Sequence, residues 1–154
     1  MALRTVPVRI RNGNKVLTVN ALLDDGSTRS CINADVAAEL GILTGDQQTL
    51  AVGTMRGATR KFKTERVSLI IESLDERTSD RIDVYTTTNV TGNLPAVNWR
   101  DISGEWMHSK NIPFSKPNGR RNVDMLIGLD YAMLHLALRK VRGKPGEPIA
   151  RLTP

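Results

Sequence analysis

Two carboxylates stand side by side in Ala21-Leu22-Leu23-Asp24-Asp25-Gly26-Ser27, at the end of an apolar run and directly before a glycine. An acidic pair in a turn is most often a solvated turn. The same residue types also suit a carboxylate chemistry in which two acids face each other over one water. Like charges held that close do not both ionise, so one carboxyl keeps its proton as the acid while the other serves as base. The base takes a proton from the water as it attacks a peptide carbonyl. The chain offers Asp24-Asp25-Gly26 as an Asp-x-Gly turn after a hydrophobic strand. If that turn is catalytic, the second acid comes from another copy of the chain across a twofold axis.

Other chemistries find less support. His108 and His135 lie far apart, CxxC and HExxH are absent, and Cys31 has no partner at ligand spacing, so neither a metal nor a cofactor is expected. Cys31 sits among apolar neighbours in an expected strand, where a structural role outweighs catalysis. Phosphate-cradling glycine loops are not present either. The 154 residues suit one domain, and 40% hydrophobic with 25% charged residues is an ordinary globular balance. A net charge of +6 and a pI near 9.9 raise nucleic-acid contact. The basic residues are dispersed, however, and 4% aromatic content gives few stacking platforms, so nucleic acid is expected to be met only non-specifically. Apolar runs are too short or interrupted for a bilayer, and the opening MALRTVPVRI lacks a secretory apolar region. A cytoplasmic setting without membrane contact is the expectation, and Asn89-Val90-Thr91 would then be an unused glycosylation sequon.

The elements that must position the acids can be read next. TVPVRIRNGNKVLTVNALLD reads as a hairpin turning at Asn12-Gly13-Asn14, its second strand running into the acidic pair. Ser30-Cys31-Ile32 continues extended, and Asn33 is expected to cap a short helix, ADVAAELG, closed by Gly41. Two strands around a tip from Gly53 to Gly57 come next, then a separate longer strand from about Arg66 to Leu74 and another in DRIDVYTTT. Trp99, Ile102 and Trp106 have helical spacing, which predicts a short helix packing its aromatics onto the core. VDMLIGLDYAMLHLAL predicts a buried strand, a break at Gly128, and a helix with Asp130 near its start.

The order of hairpin, ALLDDGSTRSCI, helix, glycine-tipped hairpin and VDMLIGLDYAMLH resembles the retropepsin-type aspartic proteases, most closely those of BEL/Pao-type LTR retrotransposons. The signature hydrophobic-hydrophobic-Asp-Thr/Ser-Gly-Ala/Ser is met by Leu22, Leu23, Asp24, Gly26 and Ser27. A second, apolar residues before a glycine and then a short helix, is met by Leu126-Ile127-Gly128-Leu129-Asp130, and the closing RGKPGEPIARLTP is similar to BEL/Pao polyproteins in particular. The resemblance implies a mainly β, single retropepsin-like acid-protease barrel with short helices over residues 1–140, one half of a C2 dimer, and a linker or docking tail over 141–154. It makes Asp24 the catalytic carboxylate, with Asp25, Gly26 and Ser27 in the active-site loop and Ser27 orienting Asp24 by a hydrogen bond. Gly53, Thr54, Met55, Arg56 and Gly57 would tip a substrate-covering flap over about 49–64, and Ile127 and Gly128 would support the catalytic loop. The implied partners are a second copy of the chain and a Gag–Pol polyprotein substrate, in the cytoplasm or within virus-like particles, with no cofactor.

Asp25 breaks the family pattern, since that slot is Thr or Ser in most retropepsins, whose hydroxyls interlock across the dimer axis. Two Asp25 carboxylates near the axis would repel unless protonated or turned to a basic neighbour, which predicts dimerisation that strengthens as pH falls. The insertion over about 86–122 could cap the cleft, extend the interface or keep the monomer soluble. A second function stays open: a catalytically silent, monomeric retropepsin fold serving as a binding or scaffold module.

Overall fold

The computed structural model describes residues 4–43, 45–53 and 57–154. The fold is mainly β with a few short helices, as the sequence predicts. Strands β1 (Thr5–Asn12) and β2 (Lys15–Leu23) pair antiparallel, with Asn12 opposite Lys15. Gly13 makes the turn at φ +57°, in the left-handed region that a Cβ disfavours. After them come β3 (Cys31–Asn33), α1 (Ala34–Glu39), β4 (Asp46–Gly53), β5 (Thr59–Glu72) and β6 (Ser79–Thr87). The chain then forms α2 (Trp99–Ile102), β7 (Met125–Ile127), β8 (Arg139–Val141) and β9 (Ala150–Leu152).

The large sheet runs β1-β2-β7-β3-β6-β5-β4, and β1 also pairs with β5 through Ile10 opposite Ile71. That pairing closes the six strands from β1 to β5 into a barrel and leaves β4 outside, bonded to β5. Ile10, Val19, Ile32, Val84, Met125 and Ile127 are among the buried side chains that fill it. Closure sets the position of β7, which lies parallel to β2 and antiparallel to β3. Residues more than a hundred positions apart thereby meet at the end of β2.

Four sequence expectations change. The strand expected after the tip from Gly53 to Gly57 and the one expected from Arg66 are one 14-residue strand, β5. Its first part pairs with β4 and its second with β6, and Arg66, opposite both Asp46 and Tyr85, carries the strand through without a gap. Residues after Gly128 form a 3-10 segment, Leu129–His135, with non-helical angles at Tyr131. The Tyr131 hydroxyl accepts from the Asp83 N–H at 2.6 Å and donates to its carbonyl at 3.1 Å, tying the segment to β6 where a regular helix would turn away. Asn33 precedes α1 without capping it; its side-chain oxygen accepts from the Val90 N–H at 2.8 Å and fastens the start of the insertion. Trp99 stacks on Phe114 of the same insertion, with ring centroids 6.0 Å apart, and neither tryptophan belongs to the core cluster.

The insertion is held to β2 by Asn20, which is almost fully buried. Its amide donates to the carbonyls of Arg120 and Asn122, while its oxygen accepts from the Asn118 N–H at 3.0 Å. Within the segment expected as a tail, β9 folds back antiparallel on β8, so the expected boundary at 140 falls inside a strand pair. The His108 ring meets the Pro148 carbonyl at 2.8 Å and so joins the insertion to that hairpin.

Candidate active site

Asp24 is the first residue beyond β2, and its N–H donates to the Ile127 carbonyl at 3.0 Å. The β2–β7 pairing thus continues one step past the strand and fixes where the loop begins. Asp24 is half-buried. Its Oδ1 accepts from the Gly26 N–H at 2.9 Å, and its carbonyl accepts from the Ser27 N–H at 3.3 Å. A Cβ on Gly26 would lie 3.2 Å from that same Oδ1, so a side chain there would crowd the carboxylate. Ser27 does not take the expected role: its hydroxyl donates to the Arg29 carbonyl at 2.7 Å, and the bond that orients Asp24 comes from the backbone of Gly26.

Beneath the loop, Gly128 packs against backbone. A Cβ there would stand 2.8 Å from the carbonyl oxygens of both Ser27 and Arg29. The next N–H, of Leu129, donates to the Ser27 carbonyl at 2.9 Å, and Ile127 is buried below. Ser30, fully buried, accepts from the Gly128 N–H at 3.0 Å and donates to Asp130 Oδ1 at 2.7 Å. Asp130 Oδ2 in turn accepts from the Ser30 N–H at 2.9 Å. Asp130 therefore braces the loop across the barrel, where sequence reasoning gave it only a helix start.

Asp25 points away from this brace. Its Oδ2 lies 2.5 Å from Arg4 Nη2 and its Oδ1 lies 2.9 Å from His135 Nδ1. The Arg4 hydrogen bond holds the Asp25 carboxyl below its ordinary value against the opposing effect of burial, and the bond to His135 adds to the lowering. The repulsion expected between two copies of Asp25 is thus answered inside each chain, by two basic neighbours. An Asp25 that is already ionised and paired removes the ground for dimerisation that strengthens on acidification.

The residues expected to tip a flap divide. Gly53 ends β4 opposite Thr59 of β5, and Gly57 turns at φ +75°. Thr54, Met55 and Arg56 lie outside the described residues. Burial, with the Asp130 charge nearby, pushes the Cys31 thiol up to about 11, which leaves little thiolate and fits a structural cysteine. Among the described residues, no three His, Cys, Asp or Glu side chains gather as metal ligands would.

Sequence reasoning passed over Arg4, Ser30 and His135. For Arg4 and His135 the signal was indirect: a carboxylate in the Asp25 slot calls for either protonation or a basic neighbour, and spacing alone does not say which neighbour; for Ser30 there was none.

A family model described as aspartyl protease matches residues 6–131. Seven chains of solved structures match, and among them is the solution structure of simian foamy virus (mac) protease. It is 17% identical, with a TM-score of 0.34, over 54% of this chain and 79% of that one. No curated protein matches.

Proposed function

Because the chain belongs to the aspartyl protease family, we propose that it is a retropepsin-type aspartic endopeptidase, working as a homodimer in which two copies of Asp24 form the acid pair. The observation that carries this reading is the division of labour between the neighbouring carboxylates. Asp25 has one oxygen on Arg4 and the other on His135, whereas Asp24 has Oδ1 on the Gly26 N–H. The paired acid that the chemistry needs is then the Asp24 of a second chain.

In that dimer the two carboxylates share one proton over a water. The ionised one takes a proton from the water as its oxygen attacks the peptide carbonyl, and the protonated one gives its proton to the carbonyl oxygen. The tetrahedral diol collapses as the peptide nitrogen is protonated and leaves. The β4–β5 hairpin, which projects from the barrel, serves as the flap that covers an extended peptide. The substrate we assign is the Gag–Pol polyprotein of a BEL/Pao-type retrotransposon, processed in the cytoplasm or in virus-like particles. The residues LLDDGST, LIGLDYAMLH and RGKPGEPIARLTP support that assignment.

Cleavage of Gag–Pol-derived peptides across pH 4 to 7, with the mass in solution recorded alongside, tests the proposal. Activity should follow the dimer and fall by roughly 10²–10⁴-fold in Asp24→Asn. A monomer that cleaves nothing at any pH or concentration would put the scaffold reading in its place.

A further inference from the structure

Two distant parts of the chain converge on Asp25. Arg4 reaches it from the residue before β1, whose carbonyl accepts from the Leu23 N–H at 3.0 Å, next to the catalytic loop. His135 reaches it from the end of the 3-10 segment after Gly128. The His135 side chain is only 7% exposed, and its other nitrogen, Nε2, lies 3.1 Å from the Gly128 carbonyl. Both ring nitrogens therefore face oxygens that only accept. Gly128 is also the residue whose backbone packs under Ser27 and Arg29. His135 thus ties Asp25, one residue after Asp24, to the floor beneath the same loop.

We propose that Arg4 and His135 are positioning residues that hold the Asp24 loop through Asp25 from within one chain. This arrangement does the task that interlocking hydroxyls across the axis would otherwise do. The role in catalysis rests on the protease reading, while the clamp itself does not. Each copy would carry its acid into the dimer already placed, and Asp25 would make no bond across the axis.

The test combines a pH titration of the aspartate carboxyl carbons by NMR with amide spectra and peptide kinetics on the full chain. Wild type is compared with Arg4→Met, Arg4→Lys, His135→Gln and Asp25→Asn. Asp25 should titrate below the ordinary aspartate range in wild type, move up in Arg4→Met, and stay low in Arg4→Lys. The amide signals of Asp24 and Gly26 should shift in Arg4→Met, His135→Gln and Asp25→Asn, while that of Ile82 in the barrel stays, which also shows that each variant is folded. In cleavage, those three variants should lose kcat by roughly tenfold to a hundredfold with KM unchanged. Arg4→Met added to Asp25→Asn should cost nothing further, since both act through one carboxylate.

Asp25 titrating in the ordinary range, unmoved loop amides, or additive losses would overturn the clamp. A wild type that cleaves no peptide but shows the titration and amide responses would remove the protease reading and leave the clamp standing. Normal kcat in all three variants of an active protease would overturn the positioning role in catalysis and leave the protease reading standing.

Discussion

Two aspartates with opposite surroundings show how burial and partners, more than residue type, set what a carboxyl does. Asp25 is 57% exposed in its side chain and paired with Arg4 and His135, so its ionised form is favoured. Asp124 is buried, its Oδ2 has no hydrogen-bond partner among the described residues, and Arg120 Nη1 stands 3.8 Å from its other oxygen. Burial pushes the Asp124 carboxyl up, with Arg120 opposing. A raised value in the folded state means that the native chain holds a proton the unfolded chain has already lost. Stability contributed by Asp124 therefore falls as pH rises from the ordinary aspartate value, about 3.9, through the raised one. Asp124→Asn should melt higher than wild type at neutral pH, by about 2–4 °C for each kcal/mol regained, with the gain vanishing below about pH 4. Calorimetry at several pH values checks this, and a pH-independent difference would count against it.

At the scale of elements, the loop that carries Asp24 is held by the close approach of β7 to β2 and by the glycine and 3-10 segment beyond β7. Gly128 illustrates the tolerance of that contact. A methyl there would meet two backbone oxygens at 2.8 Å, which a rotamer change cannot relieve, whereas a methyl on Gly53 in the β4–β5 hairpin would meet nothing within 4 Å. Gly128→Ala should cost about 1–3 kcal/mol in urea denaturation, in the range of overpacked sites, and should lower cleavage with it. Gly53→Ala should leave stability within about 0.5 kcal/mol. Equal losses at the two glycines would show that the packing under the loop is softer than the geometry implies. The 3-10 segment is a similar case, since two bonds between Tyr131 and Asp83 outweigh the helical pattern of its sequence.

For the whole molecule, the proposed dimer makes activity depend on concentration. Leu129, Met133, Leu136, Leu138 and Leu152 are all large, exposed and apolar, and they cluster in the chain just after the support glycine and in the final hairpin. Met133 is 72% exposed, so Met133→Glu should leave the barrel's melting unchanged while weakening self-association, read by analytical ultracentrifugation and by specific activity that falls on dilution. Unchanged association in that variant would move the interface elsewhere. The residues of the sequence determined the β-rich class, the turn at Gly13, the break at Gly128 and the candidate acid Asp24, because alternation, glycine and short motifs are local properties of a chain. They also marked Asp25 as a departure that called for either protonation or a basic neighbour. Only the tertiary structure decided that the neighbours are Arg4 and His135, that Ser30 and Asp130 brace the loop, and that β5 is one strand serving barrel and hairpin. Those pairings join residues up to 110 positions apart, and closure of the barrel, which no local pattern encodes, is what brings them together.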